Sequence, residues 1–193
     1  MKALIDRLKT DSYVIDNSII KVDHFINQKL DTNLINHIGK AFSESFPNAT
    51  KILTIESSGI AYAVSTAFHL NYAPVVFARK EISVLTDQAV YSSKAFSFTK
   101  KKESLITVNK AHLSKDDHIL IIDDFLATGS ALHALVEICK QSGASISGVG
   151  IVIEKRFLNA RDAFKNESFN IVSLAEITQI KNNTLYFKNE QSI

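Results

Sequence analysis

The sequence predicts an α/β fold with a mainly parallel, twisted sheet flanked by helices. Short apolar, β-branched runs alternate along the chain with segments of helical periodicity. Small or polar residues follow most of these runs directly, as expected where a strand turns into a helix. The 193 residues, 46% of them hydrophobic, suffice for one core of ordinary size but not for two. We therefore expect one domain spanning residues 1–193.

The first half of the chain predicts a helix, a strand, a second helix and a second strand. Apolar residues recur at helical spacing over 31–46, with Asp31 as the expected cap and a proline directly after the segment. Residues 51–56 (KILTIE) indicate a short strand, 60–70 a helix, and 74–80 (PVVFARK) another strand. Two strands joined through a helix are expected to pair in parallel with a right-handed crossover.

The second half continues this alternation after an antiparallel interruption. Alternating polarity at 95–99 and a strand pattern at 104–108, separated by a charged turn, predict a hairpin that projects from the sheet. The stretch HILIIDDFLATGSAL (118–132) predicts a strand, a turn and the start of a helix. Further strands are expected at 144–155 and 170–177, with a short one at 184–187.

Charge balance and cysteine content exclude several classes of function. Basic and acidic residues number 22 and 20, so no overall field attracts nucleic acid or an anionic membrane. The single cysteine, Cys139, cannot form an internal disulfide, and its helical apolar context indicates a buried thiol. No apolar run approaches the ~18 residues that span a bilayer, and the N-terminus lacks a signal-peptide pattern. We expect a cytoplasmic protein that binds neither nucleic acid nor membrane.

Two adjacent carboxylates, Asp123 and Asp124, end the predicted strand at the edge where open parallel sheets bind ligands. The turn after them places Thr128, Gly129 and Ser130 at a helix start, where backbone N–H groups suit a phosphate. The carboxylates would repel a bare phosphate, but they can accept hydrogen bonds from sugar hydroxyls or interact with a Mg²⁺ brought by the ligand. This pattern favours a sugar phosphate. The alternative is structural: Asp124 opens a turn, and Thr128 or Ser130 caps the helix.

The stretch ILIIDDFLATGSA (119–131) resembles the 5-phosphoribosyl 1-pyrophosphate (PRPP) signature of type I phosphoribosyltransferases. Five further segments are similar, in order and spacing, to the bacterial xanthine phosphoribosyltransferases: IIKVDHFINQ, TIESSGIA, PVVFARK, AFSFTK and GIVIEKRF. The resemblance covers nearly the whole chain. It implies the type I phosphoribosyltransferase fold, with a small hood from about residues 1–30 and the C-terminal segment. It also implies conversion of xanthine and PRPP to xanthosine 5'-monophosphate and pyrophosphate in purine salvage.

The resemblance assigns roles to particular residues. Asp123 and Asp124 would be the catalytic acids that hold the ribose 2- and 3-hydroxyls and stabilise positive charge at C1. The expected PRPP contacts are Ala127, Thr128, Gly129, Ser130 and Ala131 around the 5-phosphate, and Ser57, Ser58, Gly59, Arg79 and Lys80 around the pyrophosphate. The expected xanthine contacts are Ile20, Asn27 and Lys155, the lysine donating to a purine carbonyl. No residue is assigned as a direct metal ligand, because Mg²⁺ would arrive with PRPP.

Several of these side chains also have simpler interpretations. Ser58 and Asn27 are residue types that cap helices, and Arg79, Lys80 and Lys155 stand at strand ends, where charged side chains are often solvated. The pyrophosphate loop of the family often contains a cis peptide before a residue other than proline.

The chain also departs from related signatures at two positions. Ala127 replaces an acid of hypoxanthine-guanine relatives, so this loop supplies no general base, and Ala131 replaces a phosphate-binding threonine.

The segment Ser83–Lys110 resembles the mobile hairpin that covers the site in these enzymes. Lys100–Lys102 would then neutralise pyrophosphate on closure, although a charged tip also keeps a hairpin soluble. Phe96 and Phe98 beside the tip would pack in the interface of a homodimer. Two alternative functions remain. The protein could catalyse the same reaction with another preferred purine, or it could be a PRPP-binding regulator of purine metabolism. A regulator would need a DNA-binding module, for which the chain has no room.

Overall fold

The computed structural model describes residues 1–80, 89–97 and 102–188. The α-helices of this part are α1 (Lys2–Asp11), α2 (Thr32–Ser45), α3 (Gly59–His69) and α4 (Ser130–Ser142). Its strands are β1 (Tyr13–Ile15), β2 (Ile19–Lys21), β3 (Lys51–Ile55), β4 (Val75–Ala78), β5 (Val90–Ser97), β6 (Lys102–Asn109), β7 (His118–Leu126), β8 (Ser145–Lys155), β9 (Ile171–Lys181) and β10 (Thr184–Phe187).

The central sheet has the strand order β10-β9-β8-β7-β3-β4. The neighbours from β9 to β4 pair in parallel, and β10 pairs antiparallel with β9. After β4 the chain returns to the other side of β3, so the strand order reverses between β3 and β7. A crevice opens at such a reversal, outside the carboxyl ends of the two strands, and is the usual ligand site of open α/β sheets. The predicted fold class is confirmed, and this crevice is where the site should lie.

Local sequence signals account for the elements that the sequence predicts. The Asp31 carboxylate accepts a hydrogen bond from the Leu34 N–H at 3.1 Å and so caps α2. The predicted hairpin forms from β5 and β6. It joins the sheet through paired backbone hydrogen bonds between Arg79, after β4, and Thr107. Helix α1 was not predicted, because Leu4 and Leu8 are its only buried residues and give a weak helical pattern.

Two apolar clusters cover the two faces of the sheet. One contains the buried faces of α1, α2 and α3, and the other contains that of α4 together with inward residues of β5 and β6. Cys139 lies in the second cluster, where burial raises the pKa of its thiol to about 12. The predicted buried thiol is therefore confirmed. No helix among the described residues is long and apolar enough to cross a bilayer.

The hood predicted from the two ends of the chain corresponds to two hairpins whose turns touch. Asp16 and Asn17 connect β1 to β2, and Asn182 and Asn183 connect β9 to β10, all four with left-handed backbone as in tight hairpin turns. The Asn183 N–H donates to Asn17 Oδ1 at 2.9 Å, and the Asn17 N–H donates to Asn183 Oδ1 at 3.3 Å. This reciprocal pair ties the N-terminal hairpin to the C-terminal one.

Close packing of α2 on the sheet depends on a glycine in β8. A Cβ atom added at Gly148 would lie 2.0 Å from the Phe46 ring, which no ordinary contact allows. We expect Gly148→Ala to destabilise the fold by about 1–3 kcal/mol, as overpacked cores do. Urea unfolding measures this difference, with Ser147→Ala as the neighbouring control in the same strand. Equal midpoints for the two variants would contradict the packing described here.

Candidate active site

A cavity of about 250 Å³ opens at the crevice between β3 and β7. It is walled by the turn after β3, the end of β7 and the inner side of the β5–β6 hairpin. The polar or aromatic side chains on its wall include Glu56, Ser58, Lys80, Phe96, Asp123 and Asp124. The sequence predicted four of these six as PRPP-binding or catalytic residues, so the fold brings them together from three separate segments of the chain.

The two carboxylates of the site differ in environment. Asp123 is buried, whereas Asp124 is half-buried and accepts a hydrogen bond from the Ser58 hydroxyl at 2.5 Å. Burial raises the pKa of Asp123 well above its ordinary value, and the negative charge of Asp124 raises it further. Lys80 acts in the opposite direction. The end of β7 therefore holds an acid pair in which the inner carboxyl is costly to ionise unless a ligand donates hydrogen bonds to it.

The loop after β7 leads into α4 through Gly129, which caps the helix in a left-handed conformation (φ +82°). Neither Thr128 nor Ser130 is the cap residue. The Ser130 hydroxyl instead accepts a hydrogen bond from the backbone N–H of Phe96 in the hairpin, at 2.7 Å. Gly129 has no side chain that could accept hydrogen bonds from the N–H groups in the first turn of α4. These N–H groups can therefore donate to a bound anion.

The loop between β3 and α3 is the second place where backbone donors meet the crevice. Ser57 has φ +102°, a strained conformation for a residue with a side chain. Ser58 is the N-cap of α3, but its side chain makes no capping bond and turns to Asp124 instead. No peptide in the described residues is cis, so the cis peptide often found in the family is absent from this loop.

Gly59 is required where α3 meets the sheet. A Cβ there would lie 2.2 Å from Thr54 Oγ1, a buried hydroxyl without a hydrogen-bond partner in the described structure. The missing Cβ therefore lets the start of α3 approach β3, which brings Ser58 within reach of Asp124.

Glu56 organises the two cations predicted to contact pyrophosphate, a role that its position in the expected pyrophosphate loop did not predict. Its carboxylate pairs with Arg79 Nε at 2.8 Å and accepts the Lys80 backbone N–H at 2.7 Å. The Lys80 ammonium donates to the Glu56 carbonyl at 3.3 Å. Lys80 and Glu56 line the cavity, while Arg79 is exposed and is held by its ion pair with Glu56. The signal available in the sequence was the position of Glu56, a carboxylate directly before Ser57–Gly59 of the predicted pyrophosphate loop.

The structure brings together two of the three predicted base contacts. The Lys155 ammonium, at the end of β8, donates to the Ser18 carbonyl at 2.7 Å, beside the strand that carries the buried Ile20. Burial lowers the pKa of Lys155. Asn27 is exposed, and its amide donates to Asp23 at 3.4 Å. Within the described residues no hydrogen bond connects Asn27 to Lys155, so the structure does not join these two residues directly.

A buried acid before Lys155 fixes the end of β8. Glu154 is 1% exposed and accepts hydrogen bonds from the Arg161 guanidinium, at 2.7 to 3.0 Å, and from the Ser173 hydroxyl at 2.6 Å. Burial would raise the pKa of Glu154, but these hydrogen bonds outweigh it and hold the pKa below its ordinary value. Arg161 and Ser173 are seven and nineteen residues from Glu154 in the sequence, so no local pattern predicts this network.

The tip of the predicted hairpin, with Phe98, Lys100 and Lys101, lies outside the described residues, as does 83–88. Phe96 is described: its side chain is 43% exposed and it also lines the cavity. The hairpin therefore contacts the site through Phe96 and through the Phe96–Ser130 hydrogen bond.

Comparison with known proteins identifies the family. Residues 15–183 match the family described as "Phosphoribosyl transferase domain". The chain belongs to the phosphoribosyltransferase family. It is 46% identical to a xanthine phosphoribosyltransferase of Clostridium tetani, over 97% of this chain and 100% of the relative. It is 44% identical to a xanthine phosphoribosyltransferase of Lacticaseibacillus casei, over 98% of this chain and 100% of the relative.

Solved structures confirm the predicted type I phosphoribosyltransferase fold. Adenine phosphoribosyltransferase from Trypanosoma brucei, a complex with AMP, pyrophosphate and ribose-5-phosphate, superposes with a TM-score of 0.76 at 19% identity. The match covers 97% of this chain and 85% of that one. The Giardia lamblia enzyme, complexed with 9-deazaadenine, gives a TM-score of 0.75 at 21% identity, covering 90% and 97% of the two chains.

The raised pKa of Asp123 has a consequence for stability. A carboxyl whose pKa is higher in the folded state than in the unfolded state destabilises the fold when the pH is above its folded-state pKa. The destabilisation disappears when the pH is below its unfolded-state pKa, because the carboxyl is then protonated in both states. We expect Asp123→Asn to raise the melting temperature of the ligand-free protein at pH 7. The gain should shrink as the pH falls through the raised pKa, because the native Asp123 is then protonated. Thermal unfolding between pH 4 and 8 measures this; a lower melting temperature at pH 7 would contradict the assignment.

Proposed function

We propose that this protein transfers the phosphoribosyl group of PRPP to xanthine, forming xanthosine 5'-monophosphate and pyrophosphate in purine salvage. One observation carries the proposal: the acid pair of β7 stands beside the open start of α4 in the crevice of a phosphoribosyltransferase fold. Xanthine is favoured as the base because the curated relatives at 41–46% identity, over nearly the full chain, are named xanthine phosphoribosyltransferases.

The cavity offers a separate group for each part of PRPP. The backbone N–H groups of Ala127 to Ala131 would bind the 5-phosphate, with the Ser130 hydroxyl as an additional donor, since it only accepts in its bond from Phe96. Asp123 and Asp124 would accept hydrogen bonds from the ribose hydroxyls. Ser57, Ser58 and Gly59 would surround the pyrophosphate with Lys80, and Arg79 would join them from the rim.

In the reaction a purine nitrogen forms a bond to ribose C1 as the bond from C1 to pyrophosphate breaks, and the pyrophosphate leaves with the bonding electrons. Positive charge develops on the ribose in this step. The carboxylates of Asp123 and Asp124, fixed beneath the sugar by strand β7 and by Ser58, would stabilise that charge without reorganisation. The hairpin would exclude water through Phe96, which protects the reactive C1 from hydrolysis.

Mg²⁺ is the expected companion of PRPP. No group of three or more acidic, histidine or cysteine side chains in the described part of the chain forms a metal site by itself. The paired carboxylates of Asp123 and Asp124 nevertheless offer the oxygen ligands that Mg²⁺ prefers, and a cation with few protein ligands takes the rest from substrate oxygens and water. Bound in this way, Mg²⁺ would neutralise the charge of the pyrophosphate.

Recognition of the base would centre on Lys155. Its ammonium now donates to the Ser18 carbonyl and would donate to a purine carbonyl when the base enters beside Ile20. Asn27 supplies a donor and an acceptor for the additional C2 carbonyl and the ring nitrogens that distinguish xanthine from hypoxanthine. With Ala127 in place of an acid, no side chain of the loop accepts the base proton, and xanthine is acidic enough to ionise near neutral pH.

Four further features belong to this proposal. The chain acts as a single domain over residues 1–193, with the hood closing over the base. It works in the cytoplasm, with small-molecule substrates and without nucleic acid or membrane. It forms a homodimer in which Phe96 and Phe98 pack at the interface. Lys100–Lys102 approach the pyrophosphate when the hairpin closes.

The first experiment measures product formation from PRPP and Mg²⁺ with xanthine, guanine, hypoxanthine, adenine and uracil in parallel. We expect a clear preference for xanthine, because Lys155 and Asn27 match its two exocyclic carbonyls. Preference for another purine would keep the chemistry and overturn the base assignment. If PRPP binds but no base reacts, the protein is instead a PRPP-binding regulator.

The acid pair is tested by Asp124→Asn. We expect turnover to fall by about 10² or more, because the variant removes charge stabilisation at the ribose, as loss of one stabilising group does elsewhere. The melting temperature should not fall, since Asn can still accept the Ser58 hydroxyl and loss of the Asp124 charge relieves its repulsion of Asp123. The control is Asp116→Asn, an exposed acid before β7. Unchanged turnover in Asp124→Asn would remove the ribose assignment.

A further inference from the structure

The first turn of α3 makes a second long-range contact besides the bond from Ser58 to Asp124. Tyr62 is fully buried, and its hydroxyl donates to the Ile26 carbonyl at 2.5 Å. Ser58 and Tyr62 are four residues apart, so they lie on the same side of this turn. One side chain reaches the acid pair of β7, and the other reaches the loop that follows β2.

The segment that Tyr62 holds is the loop from Val22 to Asp31, which has no regular secondary structure of its own. It is closed by backbone hydrogen bonds from Lys29 to the Asp23 carbonyl at 2.8 Å and from Asp31 to the Phe25 carbonyl at 2.7 Å. Asn27 lies at its exposed part, directly after the residue that Tyr62 binds. The Tyr62 hydroxyl thus fixes the backbone next to the predicted base-contacting amide.

The hydrogen bond is insensitive to pH over the working range of an enzyme. Burial raises the pKa of Tyr62 above its ordinary value, which already lies well above neutrality, and the charges of Asp124 and Asp123 raise it further. The hydroxyl therefore remains a donor whether or not the acid pair is ionised. Its loss would leave the Ile26 carbonyl buried without this partner, which is unfavourable enough to loosen a short loop.

We propose that Tyr62 is a positioning residue for base recognition, which holds Asn27 in place from the helix that begins at the pyrophosphate loop. The proposal rests on the proposed function, because it takes Asn27 as a base contact. It predicts that the hydroxyl affects the binding of the base and its selectivity, and leaves PRPP binding unaffected. A merely structural tyrosine would affect both substrates, or neither.

The test is Tyr62→Phe, which keeps the ring and its packing. The matched control is Thr66→Val, which removes another buried hydroxyl of α3, one that bonds within the helix to the Tyr62 carbonyl at 2.8 Å. In Tyr62→Phe we expect the KM for xanthine to rise about tenfold, the magnitude of one lost buried hydrogen bond. The preference for xanthine over hypoxanthine should fall, while kcat and the KM for PRPP stay unchanged. Thr66→Val should show none of these effects.

Amide hydrogen exchange gives a second measurement that does not depend on activity. The Lys29 and Asp31 amides should exchange faster in Tyr62→Phe than in the native protein, because the loop opens more often. Unchanged exchange at these amides, or a parallel rise in the KM for both substrates, would overturn the role of Tyr62. If Tyr62→Phe speeds up exchange at these amides but the native protein does not use xanthine, Tyr62 still stabilises the loop and the proposed substrate is wrong.

Discussion

The constraint on which the site depends is the reversal of strand order between β3 and β7. It places the carboxyl ends of these strands side by side, so the acids that end β7 meet the loop that follows β3. The Ser58–Asp124 hydrogen bond joins the two. Because Asp123 is buried beside a second acid, the ligand-free site is unfavourable by itself. Sugar hydroxyls would satisfy such a pair, so the same arrangement that opposes folding would, under the proposed function, prepare the site for ribose.

Helix α3 connects the parts of the site. Gly59 allows the helix to approach β3, and the start of the helix then extends Ser58 toward the acids and Tyr62 toward the loop after β2. The hood itself is held by the paired asparagines of its two turns and by Lys155. The acid pair and the loop that carries Asn27 are therefore both attached to α3. Both would respond to any shift of that helix.

Ion pairs and hydrogen bonds around the cavity hold its charged side chains in defined positions. Glu56 orients Arg79 and Lys80 beside the turn after β3, and Glu154 with Arg161 fixes the strand end that carries Lys155. Pre-orientation of this kind lowers the entropy lost when a polyphosphate or a base binds. The buried Glu154 is bonded on both carboxylate oxygens, which is the condition under which a buried charge is tolerated.

The sequence by itself determined the α/β class, the order of the elements from α2 onward, the hairpin, and the position of Asp123 and Asp124 at the end of a strand, because these depend on local periodicity and on residues close together in the chain. The weak pattern of α1 gave no such signal, and the role expected of Lys155 came from the family resemblance. Only the tertiary structure decided that Ser58 binds Asp124 instead of capping α3, that Glu56 holds Arg79, and that Tyr62 reaches Ile26. Each of these contacts joins residues between 23 and 66 positions apart. Local patterns carry no information about such contacts, because the packing of the whole sheet sets which distant side chains meet.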